Sequence, residues 1–253
     1  MVETEIHGNI AVMKINRPEA RNAVNGDVAQ GIEAGIDELE SNDALWVGVL
    51  TGTREFFCAG ADLKLINAGK AGEMMTPKGG FAGIVTRQRT KPLIVAVEGP
   101  ALAGGLEIVL SCDLVVASRE SRFGIPEVKR NLVAAAGGVF RLPRVLPKNV
   151  ATELGITGDP INAQRAYDLG LVNELAEPGT ALEAALALAG RVTANAPLAV
   201  QQTLRLMAEL KDADDAKGIE ESGRAMIALA SSEDFTEGLT AFIEKRQPEW
   251  KGR

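Results

Sequence analysis

Glu98-Gly99-Pro100-Ala101-Leu102-Ala103-Gly104-Gly105-Leu106-Glu107 decides how this chain is read. The apolar run Leu93–Val97 before it suits a buried strand, and Leu106-Glu107-Ile108-Val109-Leu110 at its end reads as a helix. Strand, small-residue turn and helix start form a recurring anion-binding arrangement, because first-turn N–H groups have no partner within the helix. No Gly-Lys-Ser/Thr closes the turn and no G-x-G-x-x-G runs through it, so neither a P-loop nor a dinucleotide fingerprint is present. A transient oxyanion fits instead. Glu107 lies three residues past Gly104, about 4.5 Å along the axis and on the same side. Its neighbours are apolar, and a lone glutamate in such a helix is costly unless it has a task or a partner.

Upstream, Phe56-Phe57-Cys58-Ala59-Gly60-Ala61-Asp62-Leu63-Lys64 also leaves a buried strand, Trp46 to Thr51. Its small residues let backbone N–H groups approach a ligand, although a plain tight turn would need them too. Asp62 suits the start of a helix, where a carboxylate meets the positive dipole end. Downstream, Phe123-Gly124-Ile125-Pro126-Glu127-Val128 places a second glutamate after the strand Leu114 to Ala117. Paired carboxylates can divide acid and base roles when their environments differ, while Glu127 alone would equally suit a solvated turn.

Farther out, Ile10 to Ile15 reads as a strand ended by Asn16-Arg17-Pro18. Val28, Ile32, Ile36 and Leu39 recur at helical spacing behind Asn25, a plausible N-cap. Strands alternating with helices and turn-rich loops give the rhythm of β-α crossover units. Residues 69–83, with five glycines, read as a mobile loop. Beyond Gly137 the pattern is mostly helical: 181–192, 198–210, 218–230 and 233–245 suit helices, with a short strand over 171–175. In the last helix, Leu239, Phe242 and Ile243 share one side.

Composition narrows the chemistry. The chain has 253 residues and is 46% apolar but only 4% aromatic, so aliphatic side chains must fill the core. A net charge of −7 argues against nucleic-acid or membrane-surface binding. Two cysteines set no disulfide framework, no signal peptide is visible and no apolar run approaches a membrane span, which together lead us to expect a cytoplasmic protein. The single histidine, His7, sits in what reads as a first hairpin, leaving little material for a Ser-His-Asp triad or a zinc site. Acid–base chemistry would fall to carboxylates.

Taken in order, Asn16-Arg17-Pro18 with Asn22-Ala23-Val24, Cys58-Ala59-Gly60-Ala61-Asp62-Leu63, Gly104-Gly105-Leu106-Glu107, Phe123-Gly124-Ile125-Pro126-Glu127 and Ala136-Gly137-Gly138 resemble the crotonase (enoyl-CoA hydratase/isomerase) superfamily. The resemblance implies an α/β fold of stacked β-β-α units, a spiral core over residues 1–195, and a helical trimerisation part over 196–253. It matches Ala61 and Gly104 to the two N–H donors that hold the thioester oxygen, and Glu107 and Glu127 to the two carboxylates that handle water. The segments around Arg21, Ala23, Val24, Ala59, Asp62, Leu63 and Lys64 match the backbone that receives coenzyme A, and Arg17, Arg21 and Lys64 are candidates for a basic patch at its nucleotide end. The implied activity is hydration of a 2-trans-enoyl-CoA. An isomerase, a carnitinyl-CoA dehydratase type or a non-catalytic acyl-CoA binder remain alternatives. No cofactor beyond the CoA of the substrate and no metal are expected, and the implied partner is a second copy of the chain, as a homotrimer or dimer of trimers. The chain departs from the pattern at Asn131-Leu132-Val133-Ala134-Ala135, where Gly-x-x-Pro-Gly is common, and at Ala103, which adds a methyl beside the donor glycine.

Overall fold

The computed structural model describes residues 1–253. Its main sheet holds six strands in the order β1 (Val2–His7), β2 (Ile10–Ile15), β3 (Val47–Thr51), β6 (Leu93–Val97), β8 (Leu114–Ser118) and β11 (Glu174–Ala176). Only β1 and β2 pair antiparallel; every later strand joins parallel. The inner strands are mostly apolar because both sheet faces are covered. Met13, Leu50 and Val95 face α1 (Gly26–Ser41), while Val12, Val49 and Ile94 face α7 (Ala181–Thr193), the alternation that a pleated strand imposes.

After each of four strands the chain turns across the sheet before entering a helix. These crossing segments stack into a second layer. Val24 bridges Ala61, Cys58 bridges Ala101, β7 (Pro100–Leu102) pairs with β9 (Arg122–Gly124), and β9 pairs with β10 (Ile161–Asn162). The helices that follow are α1, α2 (Leu63–Asn67), α3 (Gly104–Val109) and a 3-10 turn over Pro126–Arg130. This is the expected stack of β-β-α units.

Local chemistry sets the helix starts. Asn25 accepts from the Val28 N–H at 3.0 Å, and Asp62 from the Lys64 N–H at 2.9 Å, each satisfying an orphan donor. At the far end of α1, the buried Lys91 ammonium donates to the Leu39 and Asn42 carbonyls at 2.8 and 2.9 Å, capping the negative dipole end.

The stretch 69–83, expected to be a loop, contains short regular elements. A 3-10 turn over Ala71–Met74 leads into a hairpin of β4 (Met75–Thr76) and β5 (Gly80–Phe81). Their glycines serve close packing: a Cβ on Gly83 would lie 2.2 Å from the Ala29 carbonyl oxygen. The short strand expected over 171–175 begins instead at Glu174, and Leu171 and Val172 are buried in the turn before it. Three helices in the second half went unread: α4 (Gly138–Val145), α5 (Lys148–Thr157) and α6 (Ala163–Asp168).

Helices α8 (Pro197–Glu209), α9 (Asp215–Leu229) and α10 (Glu233–Glu244) complete the chain. The C-terminal tail folds back on them: the buried Asp234 accepts from the Lys251 and Gly252 N–H groups at 2.7 and 2.9 Å, and the Trp250 indole N–H reaches the Ala194 carbonyl. No helix is long and apolar enough to cross a membrane.

The start of α3 packs against main chain, and a Cβ on Gly105 would sit 2.1 Å from the Cys58 carbonyl oxygen. Gly105→Ala should therefore lower unfolding stability in urea by about 2–3 kcal/mol, the usual cost of overpacking a rigid site. Gly190→Ala, exposed in α7 with open space around it, should instead gain about 0.5–1 kcal/mol in the same titration.

Candidate active site

A cavity of about 770 Å³ opens along the second layer, within the range of ligand sites. Four successive β-β-α units contribute to its walls, the first through Arg17, Arg21 and Ala23. The second unit brings Ala59, Ala61, Asp62, Leu63 and Lys64; the third brings Leu102, Ala103, Gly104 and Glu107; the fourth brings Pro126, Glu127 and Arg130.

Ala61 ends one crossing segment and Gly104 begins the helix after the next. The two segments touch: a Cβ on Gly60 would meet the Gly104 nitrogen at 2.9 Å and the Ala103 methyl at 2.8 Å. On either side of Ala61, the Val24 N–H donates to the Gly60 carbonyl and the Asp62 N–H donates to the Val24 carbonyl. The Ala61 N–H itself donates to no protein acceptor, and neither does that of Gly104. Two unpaired backbone donors therefore line one wall. Ala103 aims the second of them. It adopts φ 52°, ψ −128°, costly for a residue with a Cβ, and is held there by its N–H bond to the Gly124 carbonyl at 2.9 Å.

The carboxylates have different surroundings. Glu107 is 3% exposed, and its Oε1 accepts from the Gly138 N–H at 2.8 Å. Burial raises its pKa above the usual carboxylate range, while the backbone at Gly138 and Ala136 and the Arg141 charge pull it back. Arg141 reaches Ser111 at 2.7 Å and the Val85 carbonyl at 2.6 Å, and Ser111 donates to the Glu107 carbonyl, so one guanidinium ties α4, α3 and the cavity wall together. Glu127 is raised further, to about 7, first by burial and then by the neighbouring Glu107 charge. Its Oε2 is buried without a partner in the protein. A carboxyl so placed favours its protonated form, whereas the bonds to Glu107 favour its anion.

The residues expected at the coenzyme A end divide into groups. Arg21, Ala23, Ala59, Asp62, Leu63 and Lys64 all line the cavity. Val24 does not: its side chain is fully buried in the core, and only its backbone serves the site by pairing with Gly60 and Asp62. Arg17 is engaged with Asp62 at 2.8 Å and with the Ala23 carbonyl at 2.9 Å, so it orders this end of the cavity rather than standing free for an anion. Burial pushes the Asp62 carboxyl upward, but Arg17 and the Lys64 N–H outweigh it and hold the pKa low. Arg21 and Lys64 are exposed and form no ion pair. Cys58, buried behind the Ala61 loop, has its thiol pushed up to about 12 by burial, which leaves it inert.

Two contributors escaped the sequence reading. Phe81 carries its ring to within 2.6 Å of where a Gly104 Cβ would stand, so it closes the wall beside that donor. Arg141 was hidden because Pro143 lies inside α4, and a proline there reads as a helix breaker.

The stacked units and the cavity across them define a fold that gathers backbone donors and carboxyls around one cavity of ligand size. Residues 5–253 match the family model described as enoyl-CoA hydratase/isomerase, and the chain belongs to that family. It is 38% identical to a mevalonyl-coenzyme A hydratase of Aspergillus fumigatus, over 96% of this chain and 92% of the relative. It is 36% identical to a short-chain-enoyl-CoA hydratase of Clostridium acetobutylicum, over 97% of this chain and 95% of the relative. Among solved structures, an enoyl-CoA hydratase from Mycobacterium tuberculosis superposes with a TM-score of 0.95 at 47% identity, covering 100% of this chain and 99% of that one.

The raised Glu127 pKa makes a prediction that needs no substrate. In the unfolded chain this carboxyl ionises near its ordinary 4.5, but in the folded protein only near 7. The folded state therefore loses stability as pH rises through that window. Glu127→Gln removes the titration, so its Tm relative to the unsubstituted protein should become more favourable between about pH 5 and 8. A constant difference across that range would contradict the assigned environment.

Proposed function

We propose that the protein hydrates 2-trans-enoyl-CoA thioesters. One observation carries the reading: two unpaired N–H groups, Ala61 and Gly104, share a cavity with two buried carboxyls, one hydrogen-bonded by the Gly138 N–H and the other with an unpartnered oxygen. The N–H groups hold the thioester oxygen and stabilise it as enolate charge develops; losing one such donor typically costs about 3–4 kcal/mol of barrier. Glu107, favoured as its anion by the Gly138 N–H, positions a water and takes its proton as the water oxygen bonds to C3. Glu127 shares that water and delivers a proton to C2. Proton exchange with solvent then restores both carboxyls. CoA arrives as part of the substrate, and the steps require no metal or redox cofactor.

Arg21 and Lys64 receive the nucleotide end at the cavity mouth, with Ala23, Ala59, Asp62 and Leu63 along the pantetheine path. For assembly we propose a homotrimer or a dimer of trimers built through the helices from residue 196 onward. The row Leu239, Phe242 and Ile243 supports this: it is 54%, 84% and 77% exposed, so α10 does not use these side chains to close its own core. The two free thiols, Cys58 and Cys112, fit a reducing cytosol.

Glutamine keeps the size of glutamate but cannot take up a proton. Glu107→Gln and Glu127→Gln should each lower kcat for crotonyl-CoA hydration by about 100-fold or more, with a smaller change in KM. The double variant should be less impaired than the product of the two losses, because groups acting on one water are not additive. An isomerase would lose double-bond migration with one substitution and tolerate the other. A silent Glu127→Gln in a working hydration assay would sink the two-carboxylate mechanism.

Light scattering at micromolar concentration should give three or six times the monomer mass, and Phe242→Glu should reduce it. A monomer in the unsubstituted protein would refute the assembly.

A further inference from the structure

One face of α1 presents Glu33, Asp37 and Glu40, spaced i, i+4 and i+7 and all half-buried. Each binds a point on the segment 76–91, which supplies the cavity wall beside Gly104. The Glu33 Oε2 accepts from the Thr76 hydroxyl, from the Gly79 N–H at 2.8 Å and from the Lys78 N–H at 3.2 Å, enclosing the hairpin turn. Asp37 pairs with Lys78 at 2.6 Å and with Arg87. Glu40 accepts from the Thr90 hydroxyl at 2.7 Å and from the Lys91 N–H at 3.0 Å.

The hairpin has strands of two residues each, too short to hold a shape unaided. Its position is imposed by α1 through these acids and the backbone approach of Gly83 to Ala29. The hairpin in turn sets Phe81 over Gly104 and places Met75 on the cavity. Leu132 and Val133 line the same cavity, where the sequence departs from the family pattern. An acyl chain long enough to push this wall outward must break the Glu33 bonds. A chain that fits beside it need not.

We propose that Glu33 is a positioning residue for acyl-chain selection: by clamping the 76–79 turn to α1 it fixes the Phe81 wall and restricts the cavity to short acyl groups. The proposal rests on the acyl-CoA reading of this cavity. Glu33 lies outside the acid–base machinery and acts only through the hairpin.

The test measures binding of unreactive butyryl-, octanoyl- and dodecanoyl-CoA by calorimetry to the full-length protein and to Glu33→Gln, Glu33→Ala and Thr76→Val. The unsubstituted protein should favour butyryl- over dodecanoyl-CoA. Glu33→Ala should shrink that preference by about 10-fold, mainly through tighter binding of the long chain. Glu33→Gln keeps an acceptor oxygen and should stay within about twofold of the unsubstituted ratio. Thr76→Val removes one of three bonds and should shift the ratio by about two- to threefold, which decides the matter if Glu33→Ala fails to fold. Three results would overturn the proposal: equal binding of both chains by the unsubstituted protein, an unchanged ratio in a folded Glu33→Ala or in Thr76→Val, or equal weakening at every length. If acyl-CoAs bind as described but crotonyl-CoA is not hydrated, the hydratase reading fails and the clamp stands.

Discussion

Everything at the site depends on how closely two backbone segments can approach. The 58–61 segment and the start of α3 pack main chain to main chain, leaving no room for side chains at Gly60 and Gly105. That contact turns two N–H groups from neighbouring units into one pair. The same approach forces Ala103 into a left-handed conformation, with its N–H held by the next crossing segment. The strain is tolerated because the sheet layers on both sides over-determine the turn. The Gly104 N–H is consequently fixed in direction before any ligand arrives, and donors that need not reorganise are the ones that stabilise developing charge best.

The second organising element is the contrast between two carboxyls of the same chemical type. Glu107 sits on a fully buried helix turn with a main-chain donor aimed at it, whereas Glu127 stands on a 3-10 turn with one oxygen buried and unpartnered. Burial alone would raise both. Hydrogen bonding separates them, and their mutual repulsion raises the less supported one further. The difference between the two carboxyls thus follows in part from backbone geometry at Gly138, a residue that carries no charge.

How much of this could be read from the sequence followed from where each element's stability originates. The inner strands Ile10–Ile15 and Leu93–Val97 were plain, because a strand covered on both faces is an almost continuous apolar run, broken here only by Lys14. The α1 start at Asn25 and the α2 start at Asp62 were legible because a cap is a local bond. The small-residue turns stood out, and Glu107 did as a costly choice in an apolar helix, whereas Glu127 gained meaning only beside it. The ordered hairpin over 75–81 was not legible, since its glycines look like flexibility until α1 is seen packed against them. The burial of the Val24 side chain was not legible either, since the motif that contains it was read for its backbone alone. Helix α4 hid behind Pro143, and with it Arg141.

The strand order of the main sheet has a further consequence. Read from edge to edge, β1, β2, β3, β6, β8 and β11 follow the order of the chain itself, with the intervening short strands diverted to other sheets. Each main-sheet strand therefore docks beside its predecessor, and none must be inserted between two already paired neighbours. A ribosome releasing this chain from its N-terminus exposes, at every stage, a sheet with one growing edge and a waiting place for the next unit. Such a fold can be assembled by accretion. The catalytic cleft comes into being only when the fourth unit arrives and sets Glu127 opposite a wall that is already built.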